Sequence, residues 1–261
     1  MKKTILLSGA ASGFGKLAAL ELARRGHNVI AGAQIWPQVS QLRDEAKKLG
    51  IEIKVEKLDV RSEVDRKHAW SWDVDILVSN AGICEGGPIS EQPMQLIRDN
   101  FETNVFCNLE LIQGFVRKMV QKKRGKVIFT SSMGGLATFP LGGTYCATKH
   151  AIEAIAEAMK VELAPFGIKV ATLNPGAFNT GFNDRGVEAM MSWYDPKINF
   201  TPEDTFRSTY DMLSNQFDPQ IMADAIVKIV EDEKVKFRNV VPKATEDWLK
   251  QVQKDAWEAM S

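Results

Sequence analysis

The sequence predicts an α/β fold, a doubly wound parallel sheet with helices on both faces, formed by a single domain. Three observations predict it. Short runs rich in Val and Ile alternate with longer helical patterns through the first 175 residues. Those runs lack the polar alternation of a half-exposed sheet, so they read as strands buried on both faces. The first of them ends in a glycine-rich turn that leads straight into a helix. Strand-helix-strand alternation joins parallel strands through right-handed crossovers and sets their C-terminal ends on one edge, where ligands bind.

The first strand is expected over residues 4–8 and its helix over 14–25, where Leu17, Leu20, Glu21 and Arg24 sort apolar from charged residues around a helical face. Strands at 28–33 and 51–57 flank a helix at 37–49, and a short helix at 62–72 leads to a strand at 75–79. A long helix at 94–121 precedes the strand at 126–131, and a helix at 145–166 precedes the strand at 168–173. After Pro175 the pattern breaks. Residues 178–217 carry Trp193 and Tyr194 among Asn, Asp, Gly and Pro, and only Thr201-Pro202-Glu203-Asp204 reads as a helix start. A long irregular insertion in a compact domain is usually functional, so this segment is read as a helical lid; a surface insertion or an oligomer contact is the alternative. A helix at 219–232, a strand at 237–241 and a C-terminal helix from 245 close the domain, which spans 1–261.

Composition narrows the function. Lys+Arg and Asp+Glu both number 33, so no long-range field draws the surface to nucleic acid or an anionic membrane. Nowhere do 18 apolar residues run together, which indicates no membrane span. The three cysteines, Cys84, Cys107 and Cys146, are an odd number without a CxxC pair, which disfavours a disulfide framework or a metal site and fits a reducing compartment, by default the cytoplasm.

The first strand ends in Ser8-Gly9-Ala10-Ala11-Ser12-Gly13-Phe14-Gly15. Glycines allow a tight turn whose backbone N–H groups approach a pyrophosphate at the positive end of the following helix. A P-loop does not fit, because Leu17 stands where a magnesium-binding Ser or Thr is required after Lys16. On the same edge fall Asn80-Ala81-Gly82 after the fourth strand, Ser131-Ser132 at the end of the fifth, and Pro175-Gly176 with Thr180 after the sixth.

Tyr145 and Lys149 are four residues apart in a predicted helix and share a face. An ammonium about 4 Å from a phenol contributes ~4 kcal/mol at an effective dielectric of 20, roughly three pKa units. Partial burial opposes this. An intermediate lowering is expected, towards the pH where general acid-base catalysis works best.

These segments together resemble the short-chain dehydrogenase/reductase family in its compact single-domain branch. The matching residues are Ser8-Gly9-x3-Gly13-x-Gly15, Asp59, Asn80-Ala81-Gly82, Asn104, Ser132, Tyr145-x3-Lys149 and Pro175-Gly176, over about residues 4–180. The resemblance implies a Rossmann-fold oxidoreductase that moves a hydride between a nicotinamide dinucleotide and a carbonyl or alcohol carbon. The cofactor half would be about 1–125 and the catalytic and substrate half about 126–261, with the lid at about 178–217.

In that reading Tyr145 gives or takes the proton and Ser132 orients the substrate oxygen. Lys149 holds the nicotinamide ribose and lowers the phenol's pKa, and Asn104 helps to anchor a relay water. Gly9, Ser12, Gly13, Phe14 and Gly15 hold the pyrophosphate. Gln34 lies at the adenosine ribose and Asp59 with Val60 at the adenine. Asn80, Ala81, Gly82, Pro175 and Gly176 line the cleft, and Thr180 contacts the carboxamide. Two departures stand out: Ser8, where threonine is usual, and Ser79, where a second asparagine is frequent.

At the end of the second strand, Ala33 and Gln34 provide neither the carboxylate that selects NAD nor the arginine that selects NADP; lack of a repelling charge tilts the balance to NADP. Met133, Leu136, Phe139, Leu141, Phe178, Phe182, Trp193 and Tyr194 are expected to wall a pocket for an apolar or aromatic carbonyl compound, or else to pack the lid on the core. Cys84, Cys146 and His150 read as bystanders, with no histidine placed to activate a thiol. Resemblance further implies a homodimer or homotetramer built on the 94–121 and 145–166 helices. The competing reading is a catalytically silent dinucleotide-binding sensor or interaction module.

Overall fold

The computed structural model describes residues 2–207 and 213–259. Seven strands form one parallel sheet in the order β3-β2-β1-β4-β5-β6-β7: β1 (Thr4–Leu7), β2 (Asn28–Ala33), β3 (Lys54–Lys57), β4 (Ile76–Ser79), β5 (Gly125–Thr130), β6 (Ile168–Pro175) and β7 (Arg238–Val241). The third strand is shorter than the expected 51–57, because only Lys54–Lys57 pairs with β2; Ile51 and Ile53 pack on the core without joining the ladder.

Ten numbered helices surround the sheet among the described residues: α1 (Gly13–Arg24), α2 (Trp36–Lys48), α3 (Glu63–Ala69), α4 (Met94–Phe101), α5 (Asn108–Lys122), α6 (Gly143–Leu163), α7 (Phe182–Trp193), α8 (Glu203–Arg207), α9 (Pro219–Glu231) and α10 (Lys243–Asp255). One core is built by α1, α2 and α9 against one face of the sheet, with Leu22, Val39, Leu42, Met222 and Ile226 at its centre. The other is built by α5 and α6 around Leu111, Phe115, Met119, Ile152 and Val170. Central strands covered on both faces need no polar alternation, which is why Ile76–Ser79 is buried throughout.

The expected single helix over 94–121 is interrupted. Between α4 and α5 the chain takes a π-helical turn, Glu102–Cys107, and such turns gather at functional sites. The expected lid contains α7 and α8, and Val187, Met190 and Phe206 form a small cluster of their own. Residues 208–212 of that lid lie outside the described residues.

A buried cation ties the two layers together. Lys126 on β5 is 5 % exposed, and its Nζ donates to the carbonyls of Ile229 and Val230 at 2.9 Å and of Asp232 at 2.7 Å. These are terminal carbonyls of α9, which have no partner inside the helix and carry its negative end. Burial pulls the ammonium's pKa down, a cost that the three acceptors offset. Charged hydrogen bonds contribute roughly 1.5–3 kcal/mol each, less the cost of burying the charge, so Lys126→Met is expected to lower stability by about 2–3 kcal/mol. Urea unfolding measures this, and an unchanged midpoint would show that the carbonyls do not depend on the lysine.

Candidate active site

The C-terminal ends of β1, β2, β4, β5 and β6 meet along one edge and border a cavity of about 680 Å3. At its base the glycine turn closes against the segment after β4. Gly9 has φ +65° and Gly15 lies directly under it, so close that a side chain on Gly15 would stand 2.7 Å from the Gly9 carbonyl. Ser8 Oγ accepts from the backbone N–H groups of Asn80 at 2.9 Å and Ala81 at 3.1 Å, while Asn80 Nδ2 donates to the carbonyls of Ser8 and Gly9. The Ser8 hydroxyl, a departure from the family pattern in identity alone, thus fastens the two loops together.

Of the sequence-predicted residues, Gly9, Ser12, Gly13, Phe14, Gly15, Gln34, Asp59, Val60, Asn80, Ala81, Gly82, Ser132, Tyr145, Lys149, Pro175, Gly176 and Thr180 all line this cavity. Asn104 does not. It sits in the π turn behind Lys149, beside a second chamber of about 10 Å3, the size that admits a single water. Its carboxamide accepts from Ile83 N–H at 2.8 Å and donates to Ile83 O at 2.9 Å and to Thr148 Oγ1 at 3.1 Å.

Tyr145 and Lys149 project from α6 into the cavity, and Ser132 lines the same wall. Ser132 Oγ accepts from Gly134 N–H at 3.0 Å, which leaves its own proton for an oxygen in the cavity. Lys149 Nζ donates to Thr130 O at 2.9 Å and lies 5.5 Å from the Tyr145 ring centre.

Burial pulls the Lys149 pKa down to about 8, against the opposing charge of Glu153. The phenol moves the other way from expectation. Burial raises the Tyr145 pKa well above the ordinary phenol value, and the nearby Ser132 hydroxyl only partly opposes the rise. The expected lowering took the ammonium as the dominant influence, but at 8 % exposure the lost hydration of a phenolate outweighs it.

The expected apolar wall divides. Met133, Phe139, Leu141, Phe178 and Phe182 line the cavity, and Leu136 does not. Trp193 and Tyr194 turn instead onto Phe206, at ring distances of 6.1 and 4.3 Å, and hold the lid together. Cys84 lines the cavity, yet its pKa is pushed up to about 12 by burial, so it stays a thiol; His150 is engaged with the Cys146 carbonyl at 2.9 Å.

Residues that sequence reasoning missed include Thr103, Thr130, Arg185, Val187, Met190 and Trp248 on the cavity wall. Behind Ser132 lies an unforeseen support: Asn174 Nδ2 donates to Ser132 O at 3.2 Å and to the buried Glu153 Oε1 at 2.6 Å, and Arg238 donates to Glu153 Oε2 at 3.1 Å. Only the position of Asn174 at the end of a predicted strand hinted at it. Among the described residues, no helix is long and apolar enough to cross a membrane.

Comparison with known proteins gives the same assignment as the site. The short chain dehydrogenase family pattern matches residues 3–190. The oxidoreductase YusZ of Bacillus subtilis is 32% identical over 252 residues, covering 90% of this chain and 87% of its own. A 3-ketodihydrosphingosine reductase of Bacteroides thetaiotaomicron is 31% identical, covering 91% of this chain and 87% of its own. The crystal structure of a short-chain dehydrogenase from Streptomyces avermitilis superposes with a TM-score of 0.83 at 29% identity, over 99% of this chain and 94% of that one. The chain therefore belongs to the short-chain dehydrogenase family of oxidoreductases.

Proposed function

We propose that the protein is an NADP- or NAD-dependent oxidoreductase that interconverts a small apolar or aromatic carbonyl compound and its alcohol, with Tyr145 as the acid-base group. The observation that carries this reading is the convergence of Tyr145, Ser132 and Lys149 on one wall of a cavity whose far end is the glycine turn.

The cavity fits a dinucleotide. Its volume falls in the range of small-molecule sites. Gly13 lines it at φ +55°, and a side chain there would stand 3.2 Å from Thr180 Cβ, so the fold keeps a cradle of bare backbone at the start of α1. Gly9, Ser12, Gly13, Phe14 and Gly15 would hold the pyrophosphate at the start of α1. Gln34, Asp59 and Val60 would take the adenosine, and Asn80, Ala81, Gly82, Pro175, Gly176 and Thr180 the nicotinamide half. When bound, the nicotinamide supplies or accepts the hydride.

The protein's own part is the proton and the fit. Ser132 presents its hydroxyl hydrogen to the substrate oxygen and Tyr145 donates the proton to it, or withdraws it in the reverse direction. A phenol whose pKa burial raises stays protonated through neutrality, which favours the donor role and so carbonyl reduction. Lys149, held by Thr130 O, keeps a cation beside the phenol, and Asn104 walls the water-sized chamber behind it. Phe139, Leu141, Phe182, Val187 and Met190 exclude water from the substrate's body.

The end of β2 supports a modest preference for NADPH. Gln38 Oε1 accepts from the N–H of Gln34 at 3.0 Å, so this corner is capped by a neutral carboxamide with no carboxylate to repel a 2′-phosphate. Two cations that could reward one are already paired: Lys16 is held by Glu45 at 2.9 Å and Arg61 by Asp99 at 2.9 Å. In a fluorescence titration NADPH is expected to bind more tightly than NADH by up to about tenfold, ~1.4 kcal/mol. Tighter NADH would reverse the preference, and binding of neither by the folded protein would sink the dehydrogenase reading.

A further inference from the structure

Ser79 and Asn108 meet where the helix after β4 departs from α geometry. Ser79 Oγ donates to Asn108 Oδ1 at 2.8 Å, and both residues are 6 % exposed. Asn108 Nδ2 donates to Thr103 O at 2.7 Å, inside the π turn, and to Ala81 O at 3.0 Å, in the segment after β4. A single carboxamide thus spends both its N–H groups on carbonyls of two different elements, while a serine hydroxyl fixes which way it faces. Asn104 follows Thr103 directly, so the same turn aims it at Ile83. Neither Ser79 nor Asn108 borders the main cavity; both wall the chamber behind Lys149.

We propose that Asn108, locked by Ser79, is a positioning residue for proton transfer: it pins the π turn to the Ala81 carbonyl and thereby places Asn104 and the back wall of the Lys149 chamber. The proposal rests on the reading of Tyr145 and Lys149 as the proton-transferring pair. Relaxation of a π turn to α register removes one residue's offset, and each residue is about 100° of rotation around the helix. Buried carbonyls left without a donor by a substitution at Asn108 push the turn towards such a rearrangement. The serine at position 79 therefore has a counterpart: the carboxamide that its hydroxyl fixes arrives from the helix side.

The test uses the full-length protein with Asn108→Leu, which keeps the volume, Asn108→Asp, which keeps the shape and loses both donors, and Ser79→Ala, which removes only the lock. NADPH affinity by fluorescence, the pH dependence of kcat, and Tyr145 ionisation by ultraviolet difference spectroscopy in a Tyr194→Phe/Tyr210→Phe background are measured for each. Cys84 and Glu153 face Lys149, and Cys84 and Cys146 face Tyr145; none of them is altered. Asn108→Leu and Asn108→Asp are expected to bind NADPH as the parent does, to lose kcat on the order of tenfold to a hundredfold, and to shift the Tyr145 ionisation midpoint and the pH profile. Ser79→Ala moves both readouts the same way by less, and it carries the test if the Asn108 variants do not fold. Parental kcat, pH profile and ionisation midpoint in any folded Asn108 variant, or in Ser79→Ala alone where neither folds, would reduce the pair to packing. Tyr145→Phe run in parallel separates this from failure of the underlying reading, because unchanged turnover there overturns the acid-base role itself.

Discussion

Tyr145→Phe is expected to fold, to bind the dinucleotide as tightly as the parent, and to lose kcat by about 10²–10⁴-fold, ~2.7–5.4 kcal/mol of transition-state stabilisation. The substitution removes one oxygen from a side chain that is 8 % exposed and leaves the ring where it is, 5.9 Å from the Phe182 ring and 5.5 Å from Lys149 Nζ. Loss of a buried hydroxyl costs about 1 kcal/mol at most, partly returned because no partner is then needed, so Tm moves by no more than about 4 °C. Activity and stability are thereby separated. The parent's pH profile gives a second signature. Burial lowers the Lys149 pKa to about 8 and raises that of Tyr145, so below pH 8 the ammonium is charged and the phenol protonated. Reduction is expected to hold level there and to decline as the pH rises through that value, where the ammonium loses its proton first. Near-normal turnover in the phenylalanine variant would remove Tyr145 from the chemistry.

What the sequence made legible here was whatever depends on spacing along one element. The turn from Ser8 to Gly15 and the Tyr145–Lys149 pair each lie within a few residues, so periodicity and residue type were enough to place them on the ligand edge. The π turn was not legible, because it is held by Asn108 reaching Ala81 across 27 positions and by Asn104 reaching Ile83 across 21. A run of residues from 94 to 121 reads as one helix until those carboxamides are paired. Aromatic residues of the lid were ambiguous for a related reason. Phe182 and Trp193 begin and end the same helix, yet only Phe182 lines the cavity, and the choice is made by Phe206 on another element. The sign of the Tyr145 shift also lay beyond spacing. Distance to a cation can be guessed from an i,i+4 pair, whereas the hydration lost by the phenol depends on everything that closes over it.

Gly9→Ala is expected to cut dinucleotide affinity on the order of a hundredfold, ~2.7 kcal/mol, and to lower stability by about 1–3 kcal/mol. Two costs coincide at this position. Gly9 has φ +65°, where an L side chain adds roughly 1–2 kcal/mol. An added methyl would also lie 2.9 Å from Ala81 Cα, 3.1 Å from Ala81 N and 3.2 Å from Asn80 Nδ2. Backbone atoms cannot rotate away, so the glycine turn and the segment after β4 must separate, which breaks the bonds from Asn80 and Ala81 to Ser8 Oγ. Gly50 supplies the control within the same chain: its φ is +66° and nothing lies within 4 Å of the position a methyl would take. Gly50→Ala therefore bears the conformational cost alone and is expected to lose about 1 kcal/mol of stability with unchanged NADPH affinity. The difference between the two variants, read by urea unfolding and by fluorescence titration, isolates the contact between the turn and Ala81. Equal losses of stability and equal affinities would mean that the turn can open by several tenths of an ångström at no cost, and that its closeness to Asn80 and Ala81 is not what shapes the binding edge.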